Sequence, residues 1–262
     1  MTLLNVGTVI VTYLVTTTAL CLYLKSEAAA AAAAAVVTKS ASPAATSILD
    51  ITIGNLAATS LLFFNNLNIL IAICEIALGK HIAKIKSDYL VLKKKYGGGN
   101  EWEGCVAFLT KPLHGGLGDA FKLDDTWSWM WSTYALYDPS YQNTEAFGFF
   151  IDVGNGWSTI PPGLLMNYAI IYGPYLLPIT EDSSIITPLL VGCIGIASYW
   201  QIMYGTYIYF LSFVWNERYK GFAPLEIWTF VGLSNGIWIL FPAIGLWACY
   251  RMLGEGSFDV LA

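Results

Sequence analysis

The feature that most constrains this chain is a series of apolar runs, each long enough to cross a lipid bilayer. The first run, residues 3–24, contains no charged side chain. A bilayer core needs about 20 apolar residues per helix, and backbone polar groups in lipid must be bonded within the segment. The runs are too long and too uniform for the alternating strands of a barrel. They predict an all-α, polytopic membrane helix bundle of about five transmembrane helices, at about 3–24, 51–79, 147–177, 185–215 and 226–252.

Composition excludes several classes of protein. Only 12% of the residues are charged, roughly half the usual share of a soluble domain, so the chain cannot cover a globule with polar groups. The 13 Lys and Arg against 18 Asp and Glu provide no general basic surface, which argues against nucleic acid as a partner. Two histidines and five cysteines without C-x-x-C spacing indicate no metal site, and no cofactor motif is present.

Charge and low complexity divide the chain into three parts. Residues 1–50 combine an apolar helix with an Ala/Ser-rich linker, and that helix is either a retained transmembrane segment or a targeting segment. We expect residues 51–253 to form a four-helix membrane domain with a soluble loop at 80–146, and residues 254–262 to be a tail. The lysines that open the loop indicate either a solvated, snorkelling helix end or a contact with anionic lipid or an acidic partner.

Two carboxylates occupy positions where a membrane protein rarely has them. Glu75 lies near the end of the second run, and Asn68 is seven residues earlier on the same helix face. Asp152 lies early in the third run, three residues before Asn155. Ionisable groups inside a membrane are costly and mark functional sites by default, whereas amides also serve to hold helices together.

The last two runs add polar and aromatic positions. In the fifth run Asn235 and Trp238 are three residues apart, and Trp228 is seven residues before Asn235, so we expect one stripe that faces the bundle. Together with the carboxyls, this stripe predicts an apolar cavity with a few polar groups, the usual anatomy of a small-molecule site. The fourth run contributes further candidate pocket residues, Gln201, Tyr204 and Tyr209.

Three motifs in order resemble the EXPERA family of the emopamil-binding protein and the sigma-2 receptor. Residues 131–141 match the family's W-x-x-Y-x-x-x-D-x-x-Y run, which is followed at similar spacing by Asp152 and Pro161. Residues 204–211 (YGTYIYFL) are similar to the family's Y-G-D-x-x-Y-F-L, and 234–242 (SNGIWILFP) contain its N-x-x-W-x-x-x-P. The resemblance covers about residues 51–252, so it implies that the expected four-helix domain at 51–253 is EXPERA-like.

The resemblance implies five transmembrane helices around a lipophilic pocket. It also implies the chemistry of a sterol Δ8-Δ7 isomerase of the endoplasmic reticulum, in which a double bond is protonated, a cation is stabilised and a proton is lost. On this resemblance Glu75 and Asp152 are the acids, and Asn235 and Trp238 are the polar and cation-stabilising pair. Two departures stand out: Ile71 replaces a histidine of the isomerase, and Asp152 replaces a glutamate.

These observations give one leading hypothesis and two rivals. The leading hypothesis is an integral membrane protein of the endoplasmic reticulum that isomerises a sterol in a sterol-sized pocket without a cofactor. A second is a non-catalytic subunit of a larger plastid or mitochondrial membrane complex, and a third is a lipid or sterol sensor or transporter. The expected partners are a sterol or another lipophilic small molecule, membrane lipids, and either other membrane proteins or a second copy of the chain.

Overall fold

The computed structural model describes residues 4–37, 48–144, 147–175 and 186–262. Within these ranges every regular element is a helix, and one isolated bridge pairs Asn5 with Pro112. Short 3-10 turns lie at Pro139–Gln142, Gly173–Tyr175 and Asp259–Leu261, and π-helical turns lie at Leu123–Trp127 and Trp228–Leu233. The α-helices are α1 Val6–Val37, α2 Ile48–Lys80, α3 Ile82–Tyr96, α4 Glu101–Leu109, α5 Leu117–Ala120, α6 Ser128–Tyr134, α7 Phe147–Ser158, α8 Ile160–Tyr172, α9 Pro188–Trp215, α10 Pro224–Ile227 and α11 Ser234–Glu255.

Four helical stretches are long and apolar enough to cross a membrane. They are Val6–Ala34, Gly54–Lys80, Pro188–Trp215 and Pro224–Glu255. They agree with the first, second, fourth and fifth runs of the sequence. The predicted class, an all-α polytopic membrane bundle, is therefore confirmed.

The third predicted span is not one helix. Residues 147–177 divide at Thr159 into α7, of 12 residues, and α8, of 13 residues. At about 1.5 Å per residue, each is shorter than the roughly 30 Å hydrocarbon core. Pro161 and Pro162 explain the break, because a proline lacks the N–H that a continuous helix needs and disfavours helical backbone before it. Residues 176–177 lie outside the described ranges.

The alanine-rich stretch is helical rather than a linker. Helix α1 continues through residues 28–35 and ends at Val37. Alanine has the highest helix propensity of all residues, so a run of alanines extends a helix that has already begun. The rest of the predicted linker, residues 38–47, lies outside the described part of the chain.

The described residues form two compact units, each made of three chain segments. The first unit takes its residues from Met1–Tyr13, Leu70–Ser158 and Ile202–Ile239. The second takes them from Leu14–Ile69, Thr159–Gln201 and Leu240–Ala262. The boundaries therefore fall within long helices as well as at the break between α7 and α8. The division at residues 50 and 253 that composition suggests stays a prediction.

The first unit contains the predicted soluble loop, which is folded into helices. The indole of Trp131 on α6 donates a 2.6 Å hydrogen bond to the carbonyl of Cys74 on α2. The hydroxyl of Ser132 donates to the carbonyl of Ile85 on α3, at 3.2 Å. These two bonds hold α6 between α2 and α3, and α6 carries aromatic residues that reach the site described below.

The second unit is joined internally by a chain of buried polar side chains. The hydroxyl of Tyr199 on α9 donates to Asn65 Oδ1 at 2.9 Å. Asn65 Nδ2 donates to Asn167 Oδ1, and Asn167 Nδ2 donates to Asn66 Oδ1, both at 3.0 Å. This amide chain connects α2, α8 and α9. Residues of the tail also pack here, since Val260 and Leu261 are buried.

Candidate functional site

A cavity of about 220 Å³ lies within the first unit, and five elements supply its walls. Helix α2 contributes Ile71 and Glu75, which are one helical turn apart and therefore share a face. Asp152 and Asn155, three residues apart on α7, line the cavity for the same reason. The remaining walls come from α9 with Tyr209, from the start of α11 with Asn235 and Trp238, and from the region of α6 with Trp131, Tyr134 and Tyr141.

The two carboxyl groups are neighbours in this cavity. Glu75 is only 6% exposed, and its carboxyl makes no hydrogen bond to the described residues. Asp152 is partly buried and accepts a hydrogen bond from the Tyr141 hydroxyl. The carboxyls lie close enough for their charges to interact. Because Glu75 and Asp152 both line the cavity, a molecule bound there can reach their carboxyl oxygens.

A glycine allows this close approach. A Cβ atom added to Gly156 on α7 would lie 2.9 Å from the carbonyl oxygen of Ala72, from Glu75 Cβ and from the amide nitrogen of Ile76. Any larger residue would therefore collide with the backbone of α2, so glycine lets α7 pack directly on this helix. The packing brings Asp152, one helical turn before Gly156, to the side of Glu75.

A row of hydrogen-bonded polar groups forms another wall. Asn235 Nδ2 donates to the Tyr134 hydroxyl at 2.8 Å, and it also lies 2.8 Å from the carbonyl of Val231. The Tyr134 and Tyr209 hydroxyls are 3.0 Å apart. These bonds fix the orientation of the Asn235 amide and of both phenol rings.

Stacked aromatic rings surround the carboxyls. The rings of Trp131 and Tyr141 are stacked, with centroids 5.1 Å apart. Tyr134 meets Tyr141 edge to face, also at 5.1 Å between centroids. Trp238 completes the lining. Electron-rich faces of Trp and Tyr attract a cation, by about 2 kcal/mol or more when the site is dry. The cavity therefore combines acid groups with surfaces that stabilise positive charge.

Most of the residues singled out from sequence meet here. The four candidate catalytic residues all line the cavity, and so do two of the candidate pocket residues. The first set comprises Glu75, Asp152, Asn235 and Trp238, and the second comprises Asn155 and Tyr209.

Four predicted pocket residues do not line this cavity. The Asn68 amide donates to the Thr159 hydroxyl at 3.1 Å within the second unit. Gln201 and Tyr204 are exposed on the outer surface of α9. Gln201 and Tyr204 lie on faces of α9 other than the one that carries Tyr209, and Asn68 lies on α2, where it bonds to Thr159.

Trp228 was expected on the stripe of Asn235, and this prediction is wrong. Its side chain is 73% exposed and lines a different, apolar groove. The stretch Trp228–Leu233 is a π-helix. Its wider turn adds residues to each repeat, so a spacing of seven residues no longer returns to the same face.

Sequence reasoning did not assign Trp131, Tyr134 and Tyr141 to the site. Trp131 and Tyr134 are three residues apart on α6, which placed both on one helix face. Tyr141 follows a turn, Pro139–Gln142, whose position only the folded chain defines. The W-x-x-Y spacing was the available signal for the first two.

The cavity offers two carboxylates, and the described residues contain no group of three His, Cys, Asp or Glu side chains that could hold a metal ion. Asn, Tyr, Trp, Ser and Thr side chains add to its polar lining. What this arrangement can do is bind an apolar molecule, move a proton and stabilise a cation.

Comparisons with known proteins do not identify a family for this chain. The chain matches no protein-family model, no curated protein and no solved structure.

Proposed function

We propose that this protein is an integral membrane sterol isomerase of the EXPERA type, which shifts a ring double bond from Δ8 to Δ7. The observation that carries the proposal is the pair of neighbouring carboxyls, Glu75 and Asp152, in a cavity lined by aromatic rings. The three motifs that resemble the family support the same reaction and an endoplasmic reticulum location.

The reaction needs one acid and one base, and the surroundings of the two carboxyls differ in a way that provides both. Two neighbouring carboxyls disfavour double ionisation, so one of the pair retains a proton. Asp152 accepts a hydrogen bond from the Tyr141 hydroxyl, whereas Glu75 receives no such bond from the described residues, so Asp152 carries the negative charge more readily than Glu75 does. We therefore assign the acid to Glu75 and the base to Asp152.

The proposed steps conserve atoms and charge. Glu75 gives its proton to one carbon of the double bond, and the electron pair of that bond forms the new C–H bond. The cation left on the ring lies against the face of Trp238. Asp152 removes a proton from the other carbon next to the cationic centre, and the electrons of that C–H bond form the new double bond. The proton must then pass from Asp152 to Glu75 before the next turnover, which their proximity favours.

The size of the cavity limits how a sterol can bind. Its volume of about 220 Å³ is below the roughly 300–1,000 Å³ of pockets that enclose a drug-sized ligand. We infer that the cavity holds the part of the sterol that carries the double bond. The rest of the molecule would extend out of it.

The direct test is conversion of a Δ8 sterol by the purified chain or by an isomerase-deficient host that expresses it. General acid–base catalysis contributes about 10²–10⁴-fold, so Asp152→Asn and Glu75→Gln should each lower turnover by that order. Trp238→Phe should cost less, because a phenyl face still attracts a cation. Tyr204→Phe, at an exposed position outside the cavity, is the matched control. If the unmutated protein does not convert the sterol, the proposed enzymatic function is rejected.

One observation favours a second candidate function, a non-catalytic protein that binds a lipophilic molecule as a sensor, a transporter or a subunit of a plastid or mitochondrial membrane complex. Ile71 lines the cavity one turn before Glu75, where the isomerase has a histidine. An apolar side chain there suits binding more than proton transfer. Mass spectrometry of retained lipids, combined with the turnover assay, separates the two, since a binder retains sterol and leaves its double bond unchanged.

A further inference from the structure

The first unit contains two more hollows, which adjoin each other and differ in chemistry. One is an apolar groove of about 380 Å³, formed by the end of α9 and by residues 219–232. The other is a cavity of about 300 Å³ to which Lys93, Arg218 and Lys220 contribute. Phe222 lines both, so the two hollows meet at this ring. A basic pocket continuous with an apolar groove is suited to an anionic amphiphile.

The apolar groove has a specific construction. Its wall includes the π-helical stretch that begins at Trp228, and π-helical turns occur frequently at functional sites. A Cβ on Gly232 would lie 2.8 Å from the Trp228 ring, so glycine lets the indole lie against its own helix. Phe210, Phe213 and Val231 add further apolar surface. The groove thus presents hydrocarbon and aromatic surface of the kind an acyl chain contacts.

The neighbouring cavity has one cation, Lys93, that forms no ion pair with the described residues. It has three cationic side chains and two carboxylates, those of Glu101 and Glu217. Glu101 already accepts hydrogen bonds from the amides of Gly98 and Gly99, at 2.9 and 3.0 Å, so its charge is partly neutralised. Lys93 is exposed, and among the described residues it has no ion-pair partner.

The other two cations, Lys220 and Arg218, differ in how firmly carboxylates hold them. Lys220 forms a surface ion pair with Glu217, which is in a left-handed backbone conformation at φ 53°. A left-handed conformation is unusual for a residue other than glycine, and such strain concentrates at ligand clamps and switch regions. Arg218 is held by the buried carboxylate of Asp138 at 3.0 Å, which neutralises its charge. Lys93 and Lys220 are therefore the cations that can turn toward a ligand.

Both hollows lie where candidate membrane spans end. Helix α9 ends at Trp215, and the next candidate span begins at Pro224. Trp215 and Trp228 are highly exposed, as is typical of aromatic residues at the level of lipid headgroups. A phosphate at this depth is within the range where lysines bind anionic lipids.

We propose that this composite site binds an anionic glycerophospholipid, with one acyl chain along the groove and the phosphate facing Lys93 and Lys220. The proposal is independent of the sterol reaction, because none of its residues belongs to the carboxyl cavity. A zwitterionic lipid has the same chains, but its own cation would face the lysines. The site therefore selects for net negative charge at the headgroup.

The charge arm of the test measures lipid binding to the purified full chain in a neutral detergent by native mass spectrometry. The probes are dioleoylphosphatidylglycerol and dioleoylphosphatidylcholine. The double variant Lys93→Gln/Lys220→Gln should weaken phosphatidylglycerol roughly tenfold, less than two free lysines would, because Lys220 already pairs with Glu217. Phosphatidylcholine binding should not change. The control Lys86→Gln/Lys94→Gln removes two charges from α3 outside the cavity, and an equal loss there overturns the site.

The groove arm separates a lipid site from a site for free phosphate esters. Val214 is exposed and lines the groove, so Val214→Phe should fill it and weaken phosphatidylglycerol at least severalfold. Leu211→Phe places the same bulk at an exposed position of α9 outside the groove and should have no effect. Glycerophosphoglycerol, which has the headgroup without chains, should not compete. Full competition, or equal effects of the two Phe variants, overturns the proposal.

Discussion

Buried polar side chains of the two units include groups with opposite bonding. In the second unit hydrogen bonds link Tyr199, Asn65, Asn167 and Asn66 in one chain. In the first unit Glu75 is equally buried, yet it faces a cavity and has no hydrogen bond to the described residues. Polarity inside a membrane protein therefore indicates either helix association or a site. The partner of each group decides between the two.

The chemistry of the side chains explains the difference. An amide both donates and accepts, so a series of asparagines can satisfy itself across helices. A carboxylate only accepts, and two neighbouring carboxylates repel each other. The second unit therefore gains cohesion from its polar groups, whereas the first retains groups that a ligand can use. Variants that remove one polar group from each unit should separate these two roles.

The largest loss of stability should come from substitution of Arg218. This residue belongs to the first unit, where it forms a saturated polar group of its own. Its guanidinium contacts Asp138, which is completely buried, at 3.0 Å, and it also contacts Ser212 Oγ at 3.0 Å. Arg218→Met leaves a buried carboxylate without its counter-ion, which should lower the free energy of unfolding by about 3 kcal/mol. Thermal unfolding in detergent measures it. The double variant with Asp138→Asn should recover part of the loss; no recovery would contradict the ion-pair explanation.

Asn167→Leu should have the next largest effect. The substitution removes the acceptor of Asn65 and the donor to Asn66, which leaves two buried amides incompletely bonded. We expect a loss of about 1–3 kcal/mol in the free energy of unfolding. Tyr168→Phe, at the next and more exposed position, is the control. If Asn167→Leu does not change the unfolding midpoint, the amide chain does not stabilise the second unit.

A smaller loss is expected from Thr159→Val, which keeps the shape of the side chain. The Thr159 hydroxyl accepts from Asn68 at 3.1 Å, and the valine cannot. Hydrogen bonds between membrane helices contribute about 0.6 kcal/mol on average, which is the expected destabilisation. Denaturant titration of the variant beside the parent protein resolves a change of this size. A loss above about 2 kcal/mol would indicate that Thr159 does more than accept this bond.

The smallest change in stability should follow Glu75→Gln. The side chain has no hydrogen bond to lose among the described residues, and glutamine has nearly the size and shape of the neutral acid that we assign to Glu75. The free energy of unfolding should stay within about 0.5 kcal/mol. The same variant is expected to lose turnover. If Glu75→Gln destabilises the protein as strongly as Asn167→Leu, the contrast between the units fails.

The sequence alone indicated much of the candidate site, for identifiable reasons. Glu75 and Asp152 stood out because charged residues are rare in apolar runs. Asn235 and Trp238 were placed together correctly because three residues separate positions on one face of an α-helix. The same rule failed for Trp228, since it assumes α-helical geometry and the local backbone is a π-helix.

What the sequence determined by itself was the class of molecule. Runs of about 20 apolar residues fix the helical, membrane-spanning character, because lipid leaves the backbone no other partner. Only the tertiary structure decided which polar groups are bonded and which face a cavity. Asn65 and Glu75 occupy the same helix and are both buried, but the partners of Asn65 come from residues about 100 and 134 positions away. No local pattern encodes contacts at that distance, and only the packing of helices creates them.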